Sequence, residues 1–151
     1  LSFESIDDVK LVKTLDVRKK FRACHSVAKL NSSNKLVVSG VKYHDGRMLC
    51  WGIVSITDGR IDSTHNICKG VRSDLAIKNN TVYFSCWTSH SSIQGVYAYD
   101  IYDPHKQKFL YQHQELKTPR SITVMVERDF IFVSDLNSKK IHQLTDSGQL
   151  V

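Results

Sequence analysis

Short apolar runs separated by polar turns recur along the chain at a spacing of about 47 residues. Three runs of the same form place apolar residues before a serine: LVVSG (36–40), VYFSC (82–86) and IFVSD (131–135). The serines lie 46 and 49 residues apart, at Ser39, Ser85 and Ser134. A fixed period of this size is typical of a repeated structural unit, in which each copy packs against the next.

Each run is the second of four short segments that keep the same order in every repeat. The first segments are SVAKL (26–30), DLAIK (74–78) and SITVM (121–125). The third are GIVSIT (52–57), GVYAYD (95–100) and KIHQLT (140–145), and the fourth are IDSTHNI (61–67) and FLYQHQEL (109–116). Valine, isoleucine, tyrosine and phenylalanine dominate them, and no helical stripe is sustained. The pattern predicts four-stranded antiparallel meanders.

Four-stranded units that repeat in this way predict an all-β chain built as blades of a β-propeller, because radial stacking buries both faces of each sheet. A two-sheet sandwich is the alternative. We place the blades at about 22–67, 69–116 and 117–151, and interpret 1–17 as the fourth strand of a neighbouring blade, an orphan strand in this chain.

Three blades cannot close a ring, since propellers have at least four. Open blade faces, lined by residues such as Val37, Val54, Tyr97 and Phe132, would then lie in water. We therefore expect a partner that completes the ring, either a second copy of the chain or the other half of the propeller. A homodimer would have a mass of about 35 kDa, or 2 × 17.3 kDa.

Composition narrows the class of protein. Hydrophobic residues make up 41% of the chain, and no apolar stretch is long enough for a membrane span. Four cysteines, at positions 24, 50, 68 and 86, form no CxxC pair. We interpret them as reduced thiols of a cytoplasmic protein, with disulfides as the alternative.

Charge is distributed unevenly over the predicted blades. The formal net charge is +6. In a meander, the loops between the second and third strands and between the fourth and first strands lie at the same edge of the sheet. Most basic residues fall in or near these loops. This predicts one basic face that binds an anionic partner. The candidate ligand-binding residues are Arg18, Lys19, Lys20, Arg22, Lys42, Tyr43, His44, Arg47, Lys69, Arg72, Trp87, His90, Lys117, Arg120, Lys139 and Lys140.

The last repeat, PRSITVMVERDFIFVSDLNSKKIHQLTDSGQLV (119–151), resembles an NHL repeat. The matching positions are Pro119, Ile122, Val124, Ile131, Val133, Asp135, Asn137, Ile141, Leu144 and Gly148. The resemblance implies about half of a six-bladed propeller like those of tripartite-motif-like proteins, which recruit protein partners. It also suggests that Asp135 and Asn137 form hydrogen bonds inside the blade.

Catalytic motifs are absent from the sequence, which has no glycine-rich phosphate loop, HExxH or GxSxG. Zinc catalysis needs about three converging ligands, and among the histidines only His25 is placed near a central channel. We expect no enzyme activity, no cofactor and no metal. The predicted function is a non-catalytic module that binds a protein through the basic face. Single-stranded RNA binding and, as a lesser alternative, a metal-dependent propeller enzyme remain open.

Overall fold

The computed structural model describes residues 13–31, 33–42, 48–88, 94–111 and 116–151. Within these ranges the chain forms eleven strands: β1 (Phe21–Lys29), β2 (Lys35–Lys42), β3 (Met48–Ser55), β4 (Ile61–Lys69), β5 (Arg72–Lys78), β6 (Thr81–Trp87), β7 (Gly95–Asp100), β8 (Gln107–Tyr111), β9 (Pro119–Met125), β10 (Phe130–Asp135) and β11 (Lys140–Thr145). They make three antiparallel sheets, each in sequence order: the first sheet β1–β4, the second sheet β5–β8 and the third sheet β9–β11. The prediction of an all-β chain with blade-like meanders is confirmed.

Most strands overlap the predicted segments but differ in their bounds, and β1 begins at Phe21 rather than at 26. β3 begins at Met48 rather than at 52, because Leu49 and Trp51 continue the apolar alternation into the core. The N-terminal strand predicted over 1–17 is not seen at 13–17, which form no strand, and 1–12 lie outside the described residues. Beside β11, Leu150 forms an isolated bridge to Leu144. The described residues contain no helix long and apolar enough to cross a membrane.

Both faces of the second sheet pack against neighbouring sheets. Val82, Phe84 and Tyr99 belong to a core shared with Trp51 of the first sheet. The alternate residues Tyr83, Val96 and Ala98 share a second core with Ile131, Val133 and Leu144 of the third sheet. Burial on both sides explains why β6 is a nearly continuous apolar run, since neither face of the strand meets water.

The first core is centred on aromatic rings. Trp51 is fully buried, and its ring centroid lies 6.0 Å from that of Phe84 and 5.8 Å from that of Tyr99. The Tyr99 hydroxyl donates across the sheet boundary to the carbonyl oxygen of Asn66 at 3.2 Å. These contacts fix the first two sheets against each other over a large apolar area.

The outer face of the first sheet is covered by the chain that precedes β1. Leu15, Val17 and Phe21 pack with Val38 and Cys50 in a third apolar cluster. Two glycines leave room for the Phe21 ring: a Cβ on Gly40 would lie 3.1 Å from that ring, and one on Gly52 would lie 3.3 Å from it.

This packing corrects the expected exposure of the blade faces. Val37 and Tyr97 are 0% and 6% exposed between the first two sheets, and Val54 is buried within the cluster that Leu15 joins. Of the four residues expected on open faces, Phe132 is the one that is more exposed, on the outer side of the third sheet.

Adjacent sheets are joined by hydrogen bonds between their first strands. The backbone N–H of Ser73 in β5 donates to Nδ1 of His25 in β1 at 3.3 Å. The backbone N–H of Ile122 in β9 donates to a carboxylate oxygen of Asp74 in β5 at 3.2 Å. The three first strands therefore begin at a common edge of the molecule.

At the opposite edge the second and third sheets share a charged contact. The Lys78 ammonium, on a side chain that is 6% exposed, lies 2.6 Å from Asp129 and 2.8 Å from Asp146. These hydrogen bonds raise the pKa of Lys78 above its usual range. Lys78 is thus a buried link between the second and third sheets.

Candidate binding face

The edge at which β1, β5 and β9 begin is called here the basic loop face. Antiparallel order brings the ends of β2, β4, β6 and β10 to this same edge. It carries nine of the predicted site residues: Arg22, Lys42, Lys69, Arg72, Trp87, Lys117, Arg120, Lys139 and Lys140. Four others lie outside the described residues: Tyr43, His44, Arg47 and His90.

The three remaining predicted residues are placed differently. Lys19 and Lys20 line a cavity of about 490 Å³ together with Asp16 and the β3–β4 turn around Gly59. Arg18 is engaged by Asp16, with Nε and Nη2 at 3.0 and 2.8 Å from its carboxylate oxygens, and these hydrogen bonds lower the pKa of Asp16 to about 2. The sequence did not reveal the different placement of these three residues, because the chain before β1 follows the outer side of the first sheet.

Cations at the two edges differ in their pairing. At the opposite edge, Lys35 and Arg60 both pair with Asp62, at 2.8 and 3.2 Å, and Lys106 pairs with Asp103 at 2.9 Å. Within the described part of the chain, no carboxylate lies within ion-pair distance of these members of the basic loop face: Arg22, Lys69, Arg72, Lys117 and Lys139. The basic loop face thus keeps uncompensated positive charge.

Two carboxylates near this face are turned inward. Asp74 accepts the N–H of Ile122, as described above. Asp135 is 3% exposed and accepts backbone N–H groups from Thr118 at 2.6 Å and from Ser138 at 2.8 Å. Burial alone would raise the pKa of Asp135, but hydrogen bonds from Ser138, Thr118 and Lys117 together outweigh burial and lower it. Both carboxylates accept hydrogen bonds from the backbone, so they do not pair with the cations of the basic loop face.

The internal role predicted for Asp135 is therefore confirmed. Asn137, for which we predicted the same role, is exposed, and its side chain forms no hydrogen bond with any residue that the structure describes. The turn that follows β10 is instead organised by Asp135 and by Lys139, whose φ is 56°.

An aromatic–cation pair lies where the second and third sheets meet on this face. The Arg120 guanidinium carbon lies 5.6 Å from the ring centroid of Trp87. The Trp87 carbonyl accepts the N–H of Val71 at 2.9 Å, which fixes the end of β6. Nε of Arg120 is buried and has no hydrogen-bond partner among the described residues. The sequence identified both residues as candidates but not their contact, which joins different sheets.

No group of three or more His, Cys, Asp or Glu suited to a metal occurs in the described ranges. His25 serves as a hydrogen-bond acceptor, and burial, together with the charge of Arg72, lowers its pKa. The cysteines are free thiols, and burial raises the pKa of Cys24 and brings that of Cys50 to about 11. These shifts are opposite to those of a reactive thiolate.

No family model matches the chain, and no curated protein matches it either.

Proposed function

We propose that this chain is a non-catalytic interaction module, a segment of a propeller of the NHL type in a cytoplasmic tripartite-motif-like protein. Its basic loop face binds an acidic segment of a protein partner. The observation that carries this proposal is a contrast in ion pairing. Five cations of the basic loop face have no carboxylate partner in the described residues, whereas four cations at the opposite edge, Lys35, Arg60, Lys78 and Lys106, are paired, and Lys108 and Arg128 there are not. An excess of one charge at one edge concentrates ligands of the opposite charge.

The strands that carry these cations hold them in positions suited to binding an extended acidic segment. Arg72, Lys69 and Lys117 lie at or beside strand ends, so their backbone positions are fixed by the sheets. Charge-assisted hydrogen bonds to carboxylates are stronger than neutral ones, and arginine donates two in parallel. A rigid arrangement of such donors reduces the entropy lost on binding.

Single-stranded RNA is the second candidate, and it rests on the Trp87–Arg120 contact. Bases stack on aromatic rings and on guanidinium planes, and a phosphate backbone would neutralise the surrounding cations. We place it second because one aromatic ring on the described part of the face provides one stacking position, whereas an acidic peptide needs the cations alone.

Charge reversal at the basic loop face tests the proposal. We expect the double variant Arg72→Glu with Lys117→Glu to bind a fluorescein-labelled polyglutamate peptide about tenfold or more weakly than the unmodified chain, which corresponds to about 1.4 kcal/mol. Fluorescence anisotropy at low ionic strength measures the affinity. The matched control is Lys108→Glu with Arg128→Glu, which changes net charge equally outside the basic loop face and should leave the affinity within about twofold.

Two outcomes separate the candidates. If an oligouridylate binds more tightly than the peptide, with an affinity that falls steeply with salt and is reduced by Trp87→Ala, the RNA function replaces the protein function. If neither probe binds at low salt, or if the control variant weakens binding as much as the double variant, the basic loop face is not a binding site. Stoichiometric zinc or calcium in the purified protein would support the enzyme alternative.

A further inference from the structure

Two free thiols from different sheets meet beside the connection between β4 and β5. Cys68 lies in β4 and is partly exposed, whereas Cys86 lies in β6 and is fully buried. Cys68 packs against the core that the first and second sheets share, and Cys86 belongs to that core. The two thiols are joined by a hydrogen bond, and the Tyr97 hydroxyl also forms a hydrogen bond with Cys68. The thiols are therefore in contact across the boundary between two sheets.

The backbone holds the two cysteines close to each other. A connection of two residues joins β4 to β5, and Gly70 is its first residue. A Cβ on Gly70 would lie 2.6 Å from the Leu49 side chain of the first sheet and 2.9 Å from the Trp87 carbonyl oxygen of the second. Leu49 is the β3 residue that pairs with Cys68. Trp87 directly follows Cys86. The neighbours of both cysteines thus approach each other as closely as one glycine allows.

We propose that hydrogen peroxide oxidises Cys68 and Cys86 to a disulfide, and that this bond fastens the first sheet to the second. Because the thiols are already in hydrogen-bond contact, a small approach brings the sulfur atoms to the S–S bond length of about 2.05 Å. The bond would close a loop over residues 68–86, and a cross-link of this kind lowers the entropy of the unfolded chain.

The different exposure of the two thiols sets the order of the reaction. Peroxide can reach Cys68, whereas Cys86 is fully buried. The Cys68 thiolate attacks one peroxide oxygen and the O–O bond breaks. The hydroxide that leaves combines with the proton from Cys68 to give water, and Cys68 becomes a sulfenic acid. The sulfur of Cys86 then attacks the sulfur of Cys68, and the S–O bond breaks. The second hydroxide takes the proton of Cys86 as water, so two electrons have passed from the two thiols to the peroxide.

The surroundings of Cys86 favour persistence of the bond once it has formed. Burial and the hydrogen bond to Cys68 raise the pKa of Cys86. A thiol with a raised pKa is a poor leaving group, so an attacking reductant displaces it slowly. In a reducing compartment such a pair stays reduced until an oxidant arrives, and disulfides of that kind are typically redox-sensing.

The remaining two cysteines provide an internal comparison. Cys24 and Cys50 lie in one row of the first sheet, but Gly40 of β2 stands between them, because it pairs with both. Two strand spacings place their Cα atoms roughly 9–10 Å apart, beyond the limit of about 7 Å for a disulfide. Cys24 is exposed and Cys50 is buried, so this pair matches the exposure of the proposed pair without its contact.

Peptide mapping of the oxidised 151-residue chain tests the proposal. The reduced chain is treated with a small molar excess of peroxide, blocked with N-ethylmaleimide and digested with trypsin without reduction. Mass spectrometry should find the peptide 61–69 linked to the peptide 79–106, and dithiothreitol should separate them. The melting temperature, followed by circular dichroism, should rise by about 5 °C on oxidation, because the bond joins two sheets that are already packed.

Cys68→Ser should abolish both the link and the rise in melting temperature. Cys24→Ser is the matched control, since it makes the same chemical change at another accessible thiol, and it should preserve both results. If the oxidised, unmodified chain shows Cys68 and Cys86 separately blocked, overoxidised or linked to other cysteines, the proposal is wrong. A link that lowers the melting temperature would also contradict it, because the bond would then disturb the packing of the sheets. None of these measurements involves a ligand, so their outcome does not depend on the binding function proposed above.

Discussion

Replacing Trp51 with alanine should lower the free energy of unfolding by about 4 kcal/mol. Trp51 is fully buried between the first and second sheets, with its ring 4.9 Å from that of His65, as measured between centroids, and in contact range of Phe84 and Tyr99. Truncation removes the largest side chain of this core and leaves a cavity that rigid sheets fill poorly. Against a total stability of about 5–15 kcal/mol, such a loss is severe. Chemical denaturation followed by far-ultraviolet circular dichroism measures it.

Trp87→Ala is the matched control, because the chain contains two tryptophans and the chemical change is identical. Trp87 is only partly buried, at the end of β6, so its loss should cost much less. Trp51→Phe should fall between the two, since Nε1 of Trp51 is buried with no partner among the described residues and phenylalanine removes that unsatisfied donor. A larger cost for Trp87→Ala than for Trp51→Ala would show that the core is assigned to the wrong sheets.

Replacing Asp135 with alanine should destabilise the chain by about 3 kcal/mol, since it removes two hydrogen bonds to a charged acceptor and leaves buried N–H groups unpaired. These groups belong to Thr118, just before β9, and to Ser138, in the β10–β11 turn. Asp135→Asn should cost nearly as much, because its amide presents a donor to one of the two N–H groups. Denaturation at neutral pH measures both variants, and Asn137→Ala, which changes an exposed side chain in the same turn, should have little effect.

The contribution of Asp135 has a defined pH dependence. Its pKa in the folded protein is lowered, so the stabilisation is complete above the unfolded-state pKa and is lost as the pH falls through the folded-state pKa. The difference in unfolding free energy between the unmodified chain and Asp135→Asn should therefore be constant near neutrality and shrink below about pH 4. A difference that grows as the pH falls would mean that the protonated form of Asp135 is the stabilising one.

Much of the fold could be predicted from local pattern. The runs around Ser39, Ser85 and Ser134 became the second strands β2, β6 and β10, because their alternation and residue types suit a strand whatever surrounds it. The three serines occupy equivalent places in their sheets, because each is paired with a residue of the first strand. Ser39 pairs with Ser26, Ser85 with Asp74 and Ser134 with Ser121. The repeat in the sequence is therefore a repeat in the pairing.

Features that depend on distant residues could not be predicted. Lys78 is a lysine at the end of a strand, and its sequence neighbours give no sign that Asp129 and Asp146, 51 and 68 residues away, enclose it. The path of the chain before β1 was missed for a related reason. Leu15, Val17 and Phe21 suggest the alternation of a strand, but they pack across the face of the first sheet rather than beside a strand edge. Gly40 and Gly52 have no side chains there and leave room for the Phe21 ring.

The sequence predicted which residues belong to the candidate site better than it predicted the contacts they make. Sorting charges by loop placed most cations at the correct edge, because strand direction alone decides at which edge a loop lies. It could not reveal which of them are neutralised, since the pairing of Arg18 with Asp16 or of Lys35 with Asp62 depends on side-chain geometry. The contact between Trp87 and Arg120 depends on the packing of two sheets and had no local signal.

The position of the second sheet between the other two determines how the chain opens in solution. Exposing the amides of β6 to solvent requires separation from the cores on both sides, whereas β10 and β11 have a core on one side. In arrays where each unit contacts only its neighbours, cooperative opening begins at the terminal units. Hydrogen–deuterium exchange should accordingly be slowest at Tyr83, Phe84 and Ser85, and protection should fall through the third sheet while the second remains intact.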